Sequence, residues 1–291
     1  MRALLRRHPL PIRAHFEFTF VMTFAYPPAM LAPLLPPGLR LDEHQGHGFV
    51  AVAMVQTRRL RPAGLPAFVG RDFFLTGYRV FARLTTGEGR ELRGLRILRS
   101  DTDSRVMKLF GNLLTHYNYH RITVKHRRSR DTLALDVTSP DGAADVQVTA
   151  RLDANGLPAG SVFPDERTAR KFAGPLPFTF DYERETQSII CIEGRRQHWV
   201  PQIVQAEIRR LTFLRKLFPS VEPRLVSSFF IEDVPYRWER GVREPISPAL
   251  ERHPRSSRGA REQSPGSESA KAANAEVGAM GQPRRAPASL E

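Results

Sequence analysis

The densest run of side chains able to donate, accept or move a proton is Thr115-His-Tyr-Asn-Tyr-His120, in a chain of 291 residues. Read as an extended strand, it sets His116, Asn118 and His120 on one face and Tyr117, Tyr119 and Arg121 on the other. Phenol and imidazole groups suit a carboxylate, carbonyl or hydroxyl ligand, and an imidazole such as that of His120 is the usual general acid or base near neutral pH. Tyr and His are also ordinary on half-buried strands, so a structural role stands beside the functional one. Arg79 is the second candidate. It lies in the apolar run Phe73-Phe-Leu-Thr-Gly-Tyr-Arg-Val-Phe81, and a guanidinium stays charged at every working pH. Burial there demands an anionic partner, either the carboxylate of a ligand or one of the protein's own.

Other chemistries lack their motifs. Histidines four apart on a strand are separated by about 13 Å, too far to share a metal ion. His44 and His47, with Asp42 and Glu43 beside them, form a looser set that a hydrophilic turn explains better. The chain has no phosphate-binding loop, dinucleotide fingerprint, Gly-x-Ser-x-Gly elbow or zinc spacing, so neither metal nor cofactor is expected. The single cysteine, Cys191, sits in the apolar run Ser188-Ile-Ile-Cys-Ile192 and is expected to be buried and inert. One cysteine allows no internal disulfide and fits a reducing compartment.

The elements that must position these groups are mostly strands. Ala144, Val146, Val148, Ala150 and Leu152 alternate with polar residues, the period of a strand with one buried face. Gly48 to Val55 is apolar on both faces and predicts a strand enclosed on both sides. About ten such segments, separated by Gly, Pro and Asp turns, predict a barrel or sandwich. Three short helices interrupt them. Asp103 or Ser104 caps the first, with Val106, Met107, Phe110 and Leu114 on one face. The second starts at Pro164, carries Asp165 and Glu166 in its first turn and stops before Gly174. The third places Ile208, Leu211, Leu214, Leu217 and Phe218 on an apolar side facing the sheet.

The apolar pattern supports one domain over residues 16–240, after a lead-in of residues 1–15. Beyond it, residues 241–291 are expected to be a disordered tail, because from Glu251 onward Arg, Ser, Gly, Pro and Ala predominate without apolar period. The formal charge of +14 does not come from that segment, where seven Arg and Lys face five Glu. It is spread over the folded part, and no nucleic-acid-binding module accompanies it, so no nucleic acid is expected as partner. Pro9, Pro11 and Arg13 break any leader peptide, and Glu17, Pro27 and Pro28 break any membrane span. A cytoplasmic protein with no membrane partner is the expectation.

Several segments, taken in order, carry a resemblance. MLAPLLPPGLRLDEHQGHGFVAVAMV (30–55), RPAGLPAFVG (61–70), SDTDSR (100–105), GLPAGSVFPDE (156–166) and RLVSSFFIEDVPYRWE (224–239) resemble acetoacetate decarboxylase-like proteins, in their uncharacterised branch. The resemblance covers Phe16 to about Arg240 and implies a mostly β, α+β fold: a closed antiparallel β-barrel with a few short helices and an enclosed apolar cavity. The superfamily's enzymes form a Schiff base on a lysine that has a lysine neighbour. In this chain Tyr119 and His120 stand where that pair is expected, and Val50 stands where an acidic residue is expected. An imine needs an unprotonated amine, which neither Tyr nor His supplies. Of the five lysines, only Lys125 falls on an expected barrel strand.

The resemblance therefore implies a barrel that binds a small organic metabolite such as an organic acid or other anion, with Arg79 as anchor and His116, Tyr117, Tyr119 and His120 near the ligand. Two alternatives are a divergent, non-Schiff-base, lyase-like enzyme using His120 as general acid or base on a keto-acid-like substrate, and a binder of acidic partners through the Arg-rich surface. Homo-oligomers are common in the superfamily and are expected here by the same analogy.

Overall fold

The computed structural model describes residues 5–246 apart from 175 and 198. In chain order these residues form β1 (Ile12–Tyr26), a short α1 (Pro28–Leu31), β2 (Leu39–Leu41), β3 (Gly48–Pro62), β4 (Arg71–Thr85), β5 (Glu91–Thr102) and α2 (Arg105–Leu114). Then follow β6 (Tyr119–Arg121), β7 (Thr123–Arg128), β8 (Thr132–Thr138), β9 (Val146–Arg151) and α3 (Glu166–Ala173). The chain continues through β10 (Phe178–Glu183), β11 (Ser188–Arg196), β12 (Gln202–Ile203), β13 (Gln205–Leu211), α4 (Thr212–Leu217), β14 (Arg224–Trp238) and β15 (Val242–Pro245). None of the helices is long and apolar enough to cross a membrane.

The large sheet runs β12-β14-β1-β3-β4-β5-β10-β11-β15, and β11 also pairs with β14. A second sheet, β13-β9-β8-β7, packs on one face of the first through a core shared by Phe18, Phe20, Met22, Val50, Val52, Met54, Tyr78 and Val80 with Leu133, Leu135, Val146 and Val148. The alternation that is clearest in the sequence, residues 144–152, thus becomes the buried face of this smaller sheet.

The long strands are apolar on both faces because each face has work to do. In β3, Val50, Val52 and Met54 point to the shared core, while Ala51, Ala53 and Val55 line a cavity on the other side. In β4, Phe74, Tyr78 and Val80 join the core, while Gly77, Arg79 and Phe81 face the cavity. A bulge in β5 between the partners of Tyr78 and Arg79 shifts the phase, so that Ile97 and Ser100 line the cavity.

Four details differ from the sequence reading. The sheet is not wholly antiparallel: β5 pairs parallel with β6 and with β10, since the chain leaves β5 through α2 and comes back to it along the same direction. The third helix is shorter than its apolar pattern suggests. Residues 205–211 form β13, where Ala206 and Ile208 alternate with exposed Gln205, Glu207 and Arg209, and only residues 212–217 are helical. In α2, Ser104 caps the helix by accepting a hydrogen bond from the Met107 N–H, and Gly111 lies inside it. Its expected face is only partly covered: Met107 and Leu114 are half-buried at the cavity wall, while Val106 and Phe110 are exposed, as are Leu109 and Leu113 beside them.

The domain edges also move. Residues 12–15 of the expected lead-in already belong to β1, and Arg7 pairs with the buried Glu183 at 2.5 Å. Val242–Pro245, assigned by composition to the tail, pairs with Ser188–Cys191 of β11, and Ile246 packs beside Gly38 and Leu39. The expected tail from 247 to 291 lies outside the described residues. The bias to Arg and Pro hid a strand whose partner is an apolar one. A chain ended after Arg240 is therefore expected to be less stable than one ended after Ile246 by about 1–3 kcal/mol, the scale of a lost partly buried Ile and its flanking ladder. Equal urea midpoints would show that β15 adds nothing.

Candidate functional site

The chemistry converges on the cavity, which has a volume of about 240 Å³ and walls from β1, β3, β4, β5, β14, α2 and the loop before β6. Small residues make the room. Ala51 stands opposite Arg79, and Ala53 stands opposite Gly77, across the β3–β4 ladder. A Cβ on Gly77 would lie 3.0 Å from Arg79 Nε and 3.1 Å from Nη2, so the guanidinium folds over this glycine. Gly77 gives Arg79 its place by having no side chain.

Arg79 is a strongly desolvated cation of the cavity with no carboxylate at hand among the described residues; Arg196, also desolvated, lies over the Trp199 ring and is hydrogen-bonded to Tyr236. The Arg79 Nε is buried and has no hydrogen-bond partner. Burial pulls the Arg79 pKa down, while the electrostatic influence of Tyr236, Tyr119 and Tyr117 opposes that shift. Burial pushes all three phenols above their ordinary value, so they are neutral hydroxyl donors. The Tyr117 hydroxyl, Thr19 Oγ1 and Trp199 Nε1 also lack partners and line the cavity. Most of the remaining wall is apolar, with Phe16, Val21, Val55, Ile97, Phe229 and Trp238 among others, and Thr76, Ser100 and Thr179 add hydroxyls. Two guanidinium groups, neutral donors and mostly hydrocarbon walls form a place for a small anion with an apolar body.

The loop carrying the tyrosines is held by named contacts rather than by strand pairing. His116 N–H donates to Asp181 Oδ2 at 3.1 Å, and Tyr117 N–H donates to Thr115 Oγ1 at 3.3 Å. Asn112 brackets Tyr119, accepting from its N–H at 2.6 Å and donating to its carbonyl at 3.0 Å. A Cβ on Gly111 would sit 2.4 Å from the Tyr119 ring, which explains a glycine within a helix. Asn118 has φ of 51°, a left-handed turn that Asn tolerates better than most residues. Residues 116–118 are therefore not a strand, and the two-face reading of this segment fails there. Tyr117 and Tyr119 still enter the cavity together, with ring centroids 6.2 Å apart.

The two histidines do not join them. His116 is beside Asp181, which also holds Arg96 at 2.5 Å; neither His116 nor His120 lines the cavity. His120 lies next to Asp101 in the parallel β5–β6 pairing, in the region of Arg99. Desolvation, then Arg99, lowers its pKa. The lysines among the described residues, Lys108, Lys125, Lys171 and Lys216, are exposed and absent from the cavity wall. Cys191 is buried, and burial pushes its thiol up to about 12. At the loop of His44 and His47, Asp42 is taken by Arg83 and Arg93, and His44 stacks on Phe163 and Phe172. No group of three His, Cys, Asp or Glu among the described residues is arranged to hold a metal ion.

Sequence reasoning missed Thr19, Trp199 and Tyr236. Thr19 and Tyr236 are a hydroxyl residue on an apolar strand and an aromatic near a strand end, patterns too common to single out. Tyr236 is hydrogen-bonded to Arg196, and a Cβ on Gly194 would collide with its hydroxyl at 1.9 Å.

With this geometry in view, likeness to known proteins becomes informative. The model of the DUF2071 family, described as an uncharacterized conserved protein, matches residues 13–224. The chain belongs to this family. No curated protein matches the DUF2071 chain. Among solved structures it is similar to the enduracididine biosynthesis enzyme MppR, complexed with the condensation product of pyruvate and imidazole 4-carboxaldehyde. The TM-score is 0.56 at 12% identity, covering 81% of this chain and 89% of that one. The acetoacetate decarboxylase of Legionella pneumophila gives a TM-score of 0.53 at 14% identity, covering 81% and 87%. At these identities the likeness shows the fold: the acetoacetate decarboxylase-like fold expected from the sequence.

Two outcomes follow from the electrostatics. Arg79→Met removes a desolvated charge without stranding a carboxylate, so its denaturant midpoint should equal or exceed that of the parent; a loss above about 3 kcal/mol would make Arg79 part of a structural ion pair. The second concerns Asp101, which is buried, accepts from Arg99 Nε at 2.8 Å and leaves Oδ2 unpartnered. Burial pushes its carboxyl up to about 6, with Arg99 pulling the other way. The folded state thus binds this proton more tightly than the unfolded chain does. The associated stability is complete below about pH 4 and is lost as pH rises through about 6. Urea midpoints measured across that window should fall with pH in the parent and fall less in Asp101→Asn. An identical slope in both proteins would remove Asp101 as its source.

Proposed function

We propose that the chain binds a small organic carboxylate in its apolar cavity, without forming a Schiff base, and that the β-ring around the cavity acts as a closed barrel. The single observation that carries this reading is the Arg79 guanidinium, set among apolar walls and neutral phenols with no carboxylate partner among the described residues. A buried cation left this way is costly, and an anionic ligand offsets that cost by giving charge-assisted hydrogen bonds in a place of low dielectric. Tyr117 and Tyr119 supply neutral donors beside it, and the aromatic walls take the apolar body.

The volume of about 240 Å³ lies below that of drug-sized pockets, which favours a metabolite over a large ligand. No lysine among the described residues lines the wall, which supports binding without imine chemistry. The pairing of β11 with both β10 and β14 supports closure. His120 as a general acid or base has no support from its position outside the cavity wall.

A thermal-shift series of acetate, butyrate, benzoate and pyruvate, each beside its neutral amide, tests the reading. Carboxylates should raise the melting temperature, the amides should not, and Arg79→Met should abolish the shift. Borohydride treatment with pyruvate should add no mass. Equal shifts by acid and amide, full retention in Arg79→Met, or stoichiometric trapping on a lysine would overturn it.

A further inference from the structure

A second feature lies outside the cavity. Arg61 of β3, Arg13 of β1, Arg237 of β14 and Arg195 of β11 form one rung: Arg13 is the partner of both Arg61 and Arg237, and Arg237 is the partner of Arg195. Directly opposed residues share a face of a sheet, with Cβ atoms about 5 Å apart, and like charges so placed repel. Four strands at a spacing of about 4.8 Å make this row about 14 Å long. It forms part of the wall of an open groove of about 1130 Å³, which Arg59 also lines.

The groove's own acids do not neutralise it. Glu193 and Glu239 serve the β11 end, where Arg195 meets Glu193 at 3.1 Å and Arg237 meets Glu239 at 2.8 Å. At the other end, Arg61 donates only to backbone carbonyls, those of Leu65 and Arg59. Neither Arg13 nor Arg59 has an ion pair among the described residues, and His15 is taken by Asp233 at 3.0 Å. Arg59 stands at an irregularity of β3 with φ of 51°, a left-handed conformation unfavourable for a non-glycine residue.

We infer that this groove is a binding site for a short organic polyphosphate, held by Arg13, Arg59 and Arg61 and flanked by Arg237 and Arg195. A carboxylate spans one pair of guanidinium groups, whereas the row continues over four strands, so two or more linked phosphates match its length. Guanidinium forks bind phosphate oxygens in pairs, which turns the mutual repulsion of the row into attraction for one ligand. Glu193 and Glu239 border the β11 end and oppose a long polyanion running through the groove, which favours a small phosphorylated molecule over nucleic acid. The inference rests on none of Arg79, Tyr117 and Tyr119, although Arg196 and Tyr236 border both the cavity and the groove.

Calorimetric titration of the full chain with inorganic pyrophosphate at low salt tests it. Binding should weaken with added salt, and Arg13→Gln and Arg61→Gln should each weaken it by about tenfold or more, the worth of one charge-assisted contact. In phosphate-free buffer Arg13→Gln should melt at or above the parent temperature, because it relieves repulsion, while Arg79→Met should keep pyrophosphate binding intact. Absence of binding, binding untouched by both substitutions, or a thymidine oligonucleotide bound through these arginines when pyrophosphate is not, would each overturn the assignment. Loss of pyrophosphate binding in Arg79→Met would overturn the separateness of the two sites.

Discussion

Two-sided burial of β1, β3 and β4 is the constraint on which the rest of the molecule depends. One face of these strands must seal against the second sheet, and large residues do that: Phe18, Phe20, Met22, Met54, Phe74 and Tyr78. The other face must leave space, and Ala51, Ala53 and Gly77 do that by being small. Between the register shifts the period of two keeps the tasks apart, since a slip of one residue there would put Met54 and Tyr78 in the cavity and alanines in the core. Arg79 lies on the small face, over a glycine and opposite an alanine.

The same constraint explains what was legible in the sequence. Gly48 to Val55 announces enclosure on both sides because no polar residue interrupts it, and the residues 144–152 announce a single buried face because polar ones do so regularly. Ser104 and Gly174 mark helix ends through local chemistry, and the structure places caps at both, whereas the helix expected to start at Pro164 starts at Glu166, with Asp165 as its cap rather than in its first turn. Arg79 was legible for a comparable reason: a permanent charge in an apolar strand has few explanations. What failed did so where pattern alone is ambiguous. Ile208 and Leu211 fit a helical stripe as well as a strand with a bulge, and pairing with β9 decides between them. Tyr117, Tyr119, His116 and His120 look alike in sequence, yet contacts from Asn112, Asp181 and Thr115 bend the loop so that only the tyrosines reach the cavity.

The arginine surplus divides along the same line between local and distant causes. Arg7, Arg83, Arg93 and Arg96 each meet a buried acid far away in sequence, Glu183, Asp42 or Asp181. A composition count cannot see such pairs, so it sees only excess. It also cannot see the rung, because residues 13, 61, 195 and 237 become neighbours only through strand register.

Register also ties the first long strand to the last. β1 is built early in the chain and has β14 as its partner over most of its length, some two hundred residues later. During synthesis one edge of β1 waits, apolar and unpaired, until residues 224–238 arrive, and a topology so dominated by distant pairings folds slowly. The cavity has no complete wall before that moment. Whatever occupies it meets only the finished protein, and so acts as a brake on reopening rather than as a template for folding.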